Sequence, residues 1–268
     1  MEGYSCIDKS IVKPTYLAEL LGFFTSMTIV RSEIFSQYPH LVFGMSTRQP
    51  TSDNPFDGNM SFNVGDEPLN VSANRRNFFA SIGIVEEQIA FPMQEHTDAV
   101  QIATHPERYP HCDALVTDKK NVFLAVSVAD CTPIMLFDPT RHIVAGIHAG
   151  WRGTSKHLVT KTLQVMHQRY GVLPEHVIAF VGPSAGVCCY EVGEDVARLF
   201  PNQCQRIAEN GKYFLDVKKA NVLELLANGV QESHIEMHPD CTIHNLQYHS
   251  FRRDGKQSGR MLAVVGMK

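Results

Sequence analysis

The chain has 268 residues, 44% of them hydrophobic, and a formal net charge of −4 with histidine neutral. That length suits one large domain or two small ones and suffices to bury a sizeable core. A mildly acidic chain with no long basic run excludes a general nucleic-acid-binding surface.

In chain order, the first apolar stretch, residues 16–30, is interrupted by Glu19 and is too short to cross a bilayer. It also lacks the cleavage pattern of a secretory signal. Residues 1–40 therefore read as an N-terminal extension of uncertain role, with Met27 an alternative start, and residues 41–268 as a single catalytic domain. Residues 40–45 read as a strand, and residues 49–58, rich in Pro, Asp, Asn and Gly, as a loop. Ser72 is placed to cap a helix that carries Phe78, Phe79 and Ile82 and ends at Gly83. Residues 89–93 form a short apolar strand leading into Gln94-Glu95-His96. Residues 122–128 and 143–148 are nearly continuous apolar runs, the pattern of strands buried on both faces, and residues 133–137 begin a further strand between them. A helix capped by Thr154 or Ser155 follows, with a stripe of Leu158, Thr162, Leu163, Met166 and Tyr170. A strand at 177–181, a helix at 219–228 and a closing strand at 261–265 complete the pattern. Strands and helices alternate, which argues for an α/β or mixed α+β fold.

Seven cysteines, odd in number and irregular in spacing, argue for reduced thiols and so for the cytoplasm, with no membrane partner. Three residues share a local setting at or just beyond strand ends, where rigid scaffolds present functional groups: His96, Cys131 and His148. Two imidazoles and a thiolate are an acceptable three-ligand set for catalytic zinc, leaving a fourth position open. Their spacing along the chain does not itself bring them together.

Several motifs occur in order: Asn63-Val64-Gly65, Gln94-Glu95-His96, Asp113-Ala114-Leu115-Val116-Thr117, Ala129-Asp130-Cys131, His148-Ala149-Gly150-Trp151-Arg152-Gly153, Cys188-Cys189-Tyr190-Glu191-Val192 and Ser250-Phe251-Arg252-Arg253. Together they resemble the laccase-domain family, once called multicopper polyphenol oxidases and now viewed as purine nucleoside phosphorylases. The resemblance implies a layered α/β/β/α sandwich of mixed sheets, similar to the catalytic domain of cytotoxic necrotising factor. It implies a zinc site of His96, Cys131 and His148, and phosphorolysis of adenosine, inosine, guanosine and methylthioadenosine, with adenosine deamination. Purine nucleosides and phosphate are the expected partners; oligomeric state is left open.

Beside the metal triad, Cys131 and Asp130 are candidate catalytic residues, and Arg48, Asn63 and Arg152 candidate substrate-binding residues. Arg152 lies before an expected helix start, where helix-end N–H groups and a guanidinium suit an anion. Glu95 reads as a solvated carboxylate and Trp151 as a core residue. Cys188-Cys189 reads as packing, because vicinal cysteines do not easily ligate one ion together. His238, Cys241 and His244 form a tempting cluster that also reads as non-metal. Two other functions stand beside phosphorolysis. Copper (Cu2+) is the alternative occupant of the triad, giving a polyphenol oxidase. However, 13 histidines without one His-x-His pair argue against a multicopper centre. The other is a metal-free cysteine hydrolase, such as a peptidoglycan-precursor editing enzyme, with Cys131 as nucleophile.

Overall fold

The computed structural model describes residues 27–49 and 54–268. Most of the early apolar stretch and part of the loop expected over 49–58 lie outside them.

Two six-stranded sheets carry the fold. The first contains β1 (Ile29–Val30), β2 (Leu41–Ser46), β3 (Ile89–Pro92), β5 (Arg108–Tyr109), β7 (Phe123–Val128) and β15 (Met261–Met267), in the order β1-β2-β15-β7-β3-β5. The second contains β4 (Val100–Ile102), β6 (Ala114–Thr117), β8 (Thr132–Asp138), β9 (Ile143–Ala149), β10 (Ile178–Val181) and β14 (Ile235–Met237), in the order β14-β10-β8-β9-β6-β4. Both are mixed: β15 is antiparallel to β2 and β7, whereas β3 is parallel to β7. A small antiparallel sheet of β11 (Glu191–Val192), β12 (Gln205–Ile207) and β13 (Tyr213–Leu215) packs to one side.

The apolar runs predict this layering. The strands β7, β8, β9 and β15 are buried along nearly their whole length because each has protein on both faces. Between the sheets, Leu124 and Val126 of β7 meet Met135 of β8 and Val144 of β9. Behind the first sheet, helix α2 (Pro68–Ser81) packs Phe78 and Phe79 against Phe123 and Val264. Behind the second, helix α4 (Leu158–Tyr170) packs Leu158, Leu163 and Met166 against Ile147 and Ala145, and α6 (Val217–Ala227) adds Leu225. The result is the α/β/β/α sandwich. Two short helices, α1 (Glu33–Ser36) and α3 (Trp151–Ser155), and two more, α5 (Glu194–Ala197) and α7 (Phe251–Asp254), fill the connections.

Residues 29–36 of the expected extension are built into this body. The β1 strand pairs with β2, Phe35 is buried between the sheets, and Ser32 caps α1 while donating to Glu236 at 2.6 Å.

Two helix starts differ from expectation. Helix α2 begins at Pro68 after Glu67, using proline at the position where a missing N–H costs nothing. Ser72 therefore sits inside the helix, its hydroxyl donating to the Pro68 carbonyl. Neither Thr154 nor Ser155 caps a helix. The chain makes the five-residue α3 directly after Gly150, then enters α4 through His157 in the left-handed conformation (φ 62°). The predicted stripe of α4 nevertheless faces the sheet, and Gly171 ends the helix at φ 67°. Helix α6 begins earlier than read, at Val217, because the Asp216 side chain accepts from the Lys219 amide.

Candidate metal centre and its cleft

His96, Cys131 and His148 converge. Their donor atoms all lie within 4.8 Å of one another. The Cys131 Sγ is 3.8 Å from His96 Nε2, and the two imidazole rings meet edge to face at 4.9 Å between centroids. His148 is the next-to-last residue of β9, Cys131 precedes β8 by one residue, and His96 follows β3. Since β8 and β9 pair with Pro133 opposite His148, Cys131 is carried beside the histidine by the register itself.

A residue not singled out in the sequence holds this arrangement. Asp113, at 0% exposure just before β6, accepts the Nδ1 proton of His148 at 2.8 Å. That bond fixes the tautomer and leaves Nε2 as the free donor. The same carboxylate accepts the backbone amides of Glu95, His96 and Thr97 and the Thr97 hydroxyl. These bonds hold the turn in which His96 takes φ 58°. Burial works against ionising Asp113, but the bond and charge of His148 dominate and hold its carboxyl at about 2.

Charge then passes to the thiol. Burial alone raises Cys131, yet the charge and hydrogen bond of His148, with the bond to His96, bring it down to about 6. His148 is opposed by its own burial, but Cys131 and Asp113 raise it to about 9. These directions favour a thiolate beside an imidazolium in metal-free protein. Metal-stripped protein should show Cys131 alkylation by iodoacetamide rising through about pH 6, not near the ordinary thiol value of about 8.5. An unshifted profile sinks this electrostatic reading.

The donor set fits a metal ion. It offers one thiolate and two imidazoles, one of them oriented by a buried carboxylate, which is the arrangement of a catalytic zinc site with a fourth position open. Gly150 permits the close approach: a Cβ there would sit 3.0 Å from Cys131 Sγ and 3.2 Å from His96 Cδ2. Gly150→Ala should weaken metal retention at least about tenfold, since it displaces two ligands at once. Metal content after dialysis against a chelator, compared with far-ultraviolet circular dichroism, separates this from misfolding.

The triad lines a cleft of about 730 Å³. Five arginines line it: Arg75, Arg108, Arg152, Arg252 and Arg260, against two carboxylates, Glu95 and Asp130. This concentration of cations in a chain of net charge −4 marks the cleft as a place for an anion. Rings of Phe62, Phe91, Trp151, Tyr190 and Phe251 form much of the remaining wall. Several guanidiniums lie over these rings, Arg152 over Trp151 at 4.4 Å and Arg252 over Tyr190 at 4.8 Å.

A family profile described as multi-copper polyphenol oxidoreductase laccase matches residues 42–268. The chain belongs to this laccase family. The purine nucleoside phosphorylase of Bacteroides thetaiotaomicron is 34% identical over 256 residues, spanning 87% of this chain and 94% of that protein. The purine nucleoside phosphorylase YlmD of Geobacillus stearothermophilus is 34% identical over 254 residues, spanning 85% and 90%. The crystal structure of YlmD from that organism shares the fold at a TM-score of 0.84 and 32% identity, covering 91% of this chain and 97% of YlmD.

The laccase-family cleft receives some of the predicted residues and not others. Asn63 and Arg152 line it, whereas Arg48 does not: its backbone amide donates to Gln247, and its charge bears on the buried His249. Arg152 lies in the one-turn α3, so no long helix end backs it. Asp130 lines the cleft, but its carboxylate accepts the Thr242 hydroxyl and the Arg252 amide, each at 2.7 Å. Those bonds and its φ of 85° point to a positioning role for the neighbouring Cys131. Glu95 is exposed and pairs with His111. Trp151 is half-buried against a small side cluster and also lines the cleft. His238 packs edge-on to Phe180 and Tyr248.

Among the described residues, His96 and His148 are the only histidines in a metal-donor group, and no group there holds three or more histidines. No helix among them is long and apolar enough to cross a membrane. Arg252, Arg260 and Tyr190 went unnamed in the sequence reading. Arg252 and Tyr190 lie within motifs quoted for the resemblance; Arg260 has no signal apart from its position just before the closing strand.

Proposed function

We propose that this protein is a zinc-dependent purine nucleoside phosphorylase of the cytoplasm, acting on adenosine, inosine, guanosine and methylthioadenosine, with adenosine deaminase activity. The observation that carries this reading is a three-ligand metal-donor set in the wall of an arginine-rich, ring-lined cleft. The likeness to proteins named purine nucleoside phosphorylase supports the same reaction, and the six free cysteines among the described residues fit a reducing compartment. Zinc bound to His96, Cys131 and His148 supplies Lewis acidity for activating an oxygen at neutral pH.

The chain's own groups do the rest. The arginines hold phosphate so that one of its oxygens faces the ribose anomeric carbon. That oxygen forms the new bond as the glycosidic C–N bond breaks, and the base leaves with the bond's electrons and takes up a proton. Aromatic side chains hold the purine plane. The Arg260 guanidinium is held in place: Nη1 is anchored on the carbonyls of Ser258 and Gly259, both at 2.8 Å, and the group lies over Phe251. Arg260→Ala should raise the KM for phosphate about 10- to 100-fold, the equivalent of one lost charge-assisted interaction. A KM for nucleoside that rises equally, with that for phosphate unmoved, assigns Arg260 elsewhere.

Adenosine and phosphate incubated with zinc-loaded protein should yield adenine, ribose 1-phosphate and inosine. Zinc-loaded, folded protein that forms none of these sinks the proposal.

A second reading rests on one specific feature. Cys131, His148 and Asp113 also form a nucleophile, base and orienting carboxylate, the order of a cysteine hydrolase. Chelation separates the two: a cysteine hydrolase keeps its activity after the metal is removed, whereas the phosphorylase loses it.

A further inference from the structure

Away from the triad, a second set of soft donors converges. The sulfurs of Cys188, Cys189 and Cys241 all lie within 4.8 Å of one another. They come from segments more than fifty residues apart, joined by the parallel bridge between Ser184 and Cys241. Adjacent residues in an extended segment face opposite ways, which is why a vicinal pair reads as packing in the sequence. Here residues 187–189 form a turn, closed by the amides of Cys189 and Tyr190 donating to the Gly186 carbonyl. The turn brings both thiols to the side where Cys241 waits.

The backbone is shaped around these sulfurs. The Gly186 amide donates to Cys241 Sγ at 3.2 Å, and a Cβ on Gly186 would lie 3.4 Å from the sulfurs of Cys188 and Cys241. Packing alone does not explain the group, because Cys188 is exposed and Cys189 and Cys241 are only partly buried. All three are free thiols, and the group borders a surface hollow lined by Cys188, Cys241 and His244.

Three thiolates around one ion at a metal–sulfur distance of about 2.3 Å stand about 4.0 Å apart in a trigonal plane. The observed spread falls within reach of that geometry. All-thiolate donor sets select soft ions such as copper(I) or zinc. Among the described residues no fourth His, Cys, Asp or Glu joins the group, so the donor set is three thiolates, which copper(I) fills as a three-coordinate ion and zinc fills only with a further ligand from solvent. We propose that Cys188, Cys189 and Cys241 form a three-thiolate site for one copper(I) ion, separate from the metal triad. Binding releases the thiol protons to solvent. The ion ties the 186–190 turn to the segment carrying Thr242. Both reach the cleft, through Tyr190 in its wall and through Thr242 on Asp130.

The test is an anaerobic titration of reduced, zinc-loaded protein with copper(I) against a chromophoric copper(I) chelator. One equivalent should bind with the triad zinc retained, and copper X-ray absorption should show three sulfurs and no imidazole. Cys188→Ser, Cys189→Ser and Cys241→Ser should each weaken binding at least about 100-fold, beyond the roughly 10- to 100-fold that loss of an outer-shell partner costs. The X-ray spectrum of the unsubstituted protein reads the ligand set even if a serine variant folds poorly. Copper that stays with the chelator overturns the proposal. So does binding that survives Cys241→Ser, an imidazole in the copper shell, or zinc held by the three thiols in preference to copper.

Discussion

Serine in place of Cys131 should strip one metal ion per chain and lower phosphorolysis by more than the roughly 100-fold that loss of a supporting residue costs. The thiolate is the only anionic donor in the triad, so its removal leaves the ion on two imidazoles with no directly bound negative charge. The substitution changes one atom in a pocket already formed by Gly150 and by the β8–β9 register, so the fold should survive. Metal analysis by mass spectrometry, beside turnover of inosine with phosphate, reads both effects. A variant that loses its metal yet keeps wild-type turnover removes the metal from the mechanism.

Asp113→Asn should act on metal and fold together. The amide cannot accept the four donors that the carboxylate now takes from the 95–97 turn, and it no longer fixes the His148 tautomer by charge. Zinc affinity should fall about 10- to 100-fold, and stability by roughly 3 kcal/mol, the scale for breaking a buried ionic pair. The pH dependence has a definite sign. Asp113 is held at about 2, below an unfolded value of about 3.9. Its stabilisation is therefore complete above about pH 4 and disappears as the pH falls through 2. The asparagine variant should lack that acid-side loss, so its denaturation midpoint converges on the wild type's as the medium is acidified. Parallel curves across that interval exclude Asp113 as the charged anchor.

The strands were legible because their physics is local. Residues 123–128 and 143–149 have no polar face to place in water, so they predict burial on both sides wherever they sit. The triad was legible only in part: strand ends made His96, Cys131 and His148 plausible, but their meeting depends on Pro133 standing opposite His148 in β8 and β9. Asp113 was hidden for the same reason, since its partners lie at 95–97 and 148 and nothing in its own neighbourhood announces them. Arg48 is absent from the cleft lining, and a loop residue next to a strand end carries no sign of which way it turns. Helix boundaries failed where a rarer device replaced the common one, as when His157 in the left-handed conformation started α4 in place of a serine or threonine cap.

The position of β15 governs how the chain can fold. This strand is hydrogen-bonded between β2 and β7, more than two hundred residues after the first and more than a hundred after the second. Until residues 261–267 have left the ribosome, β2 and β7 each present an unpaired edge flanked by apolar side chains. Such edges recruit other chains, and closing a loop of that length is slow. The first sheet must therefore assemble after synthesis has passed its last strand, while the second, complete by residue 237, can form earlier. Nascent chains halted between these two points should be the species most dependent on chaperones.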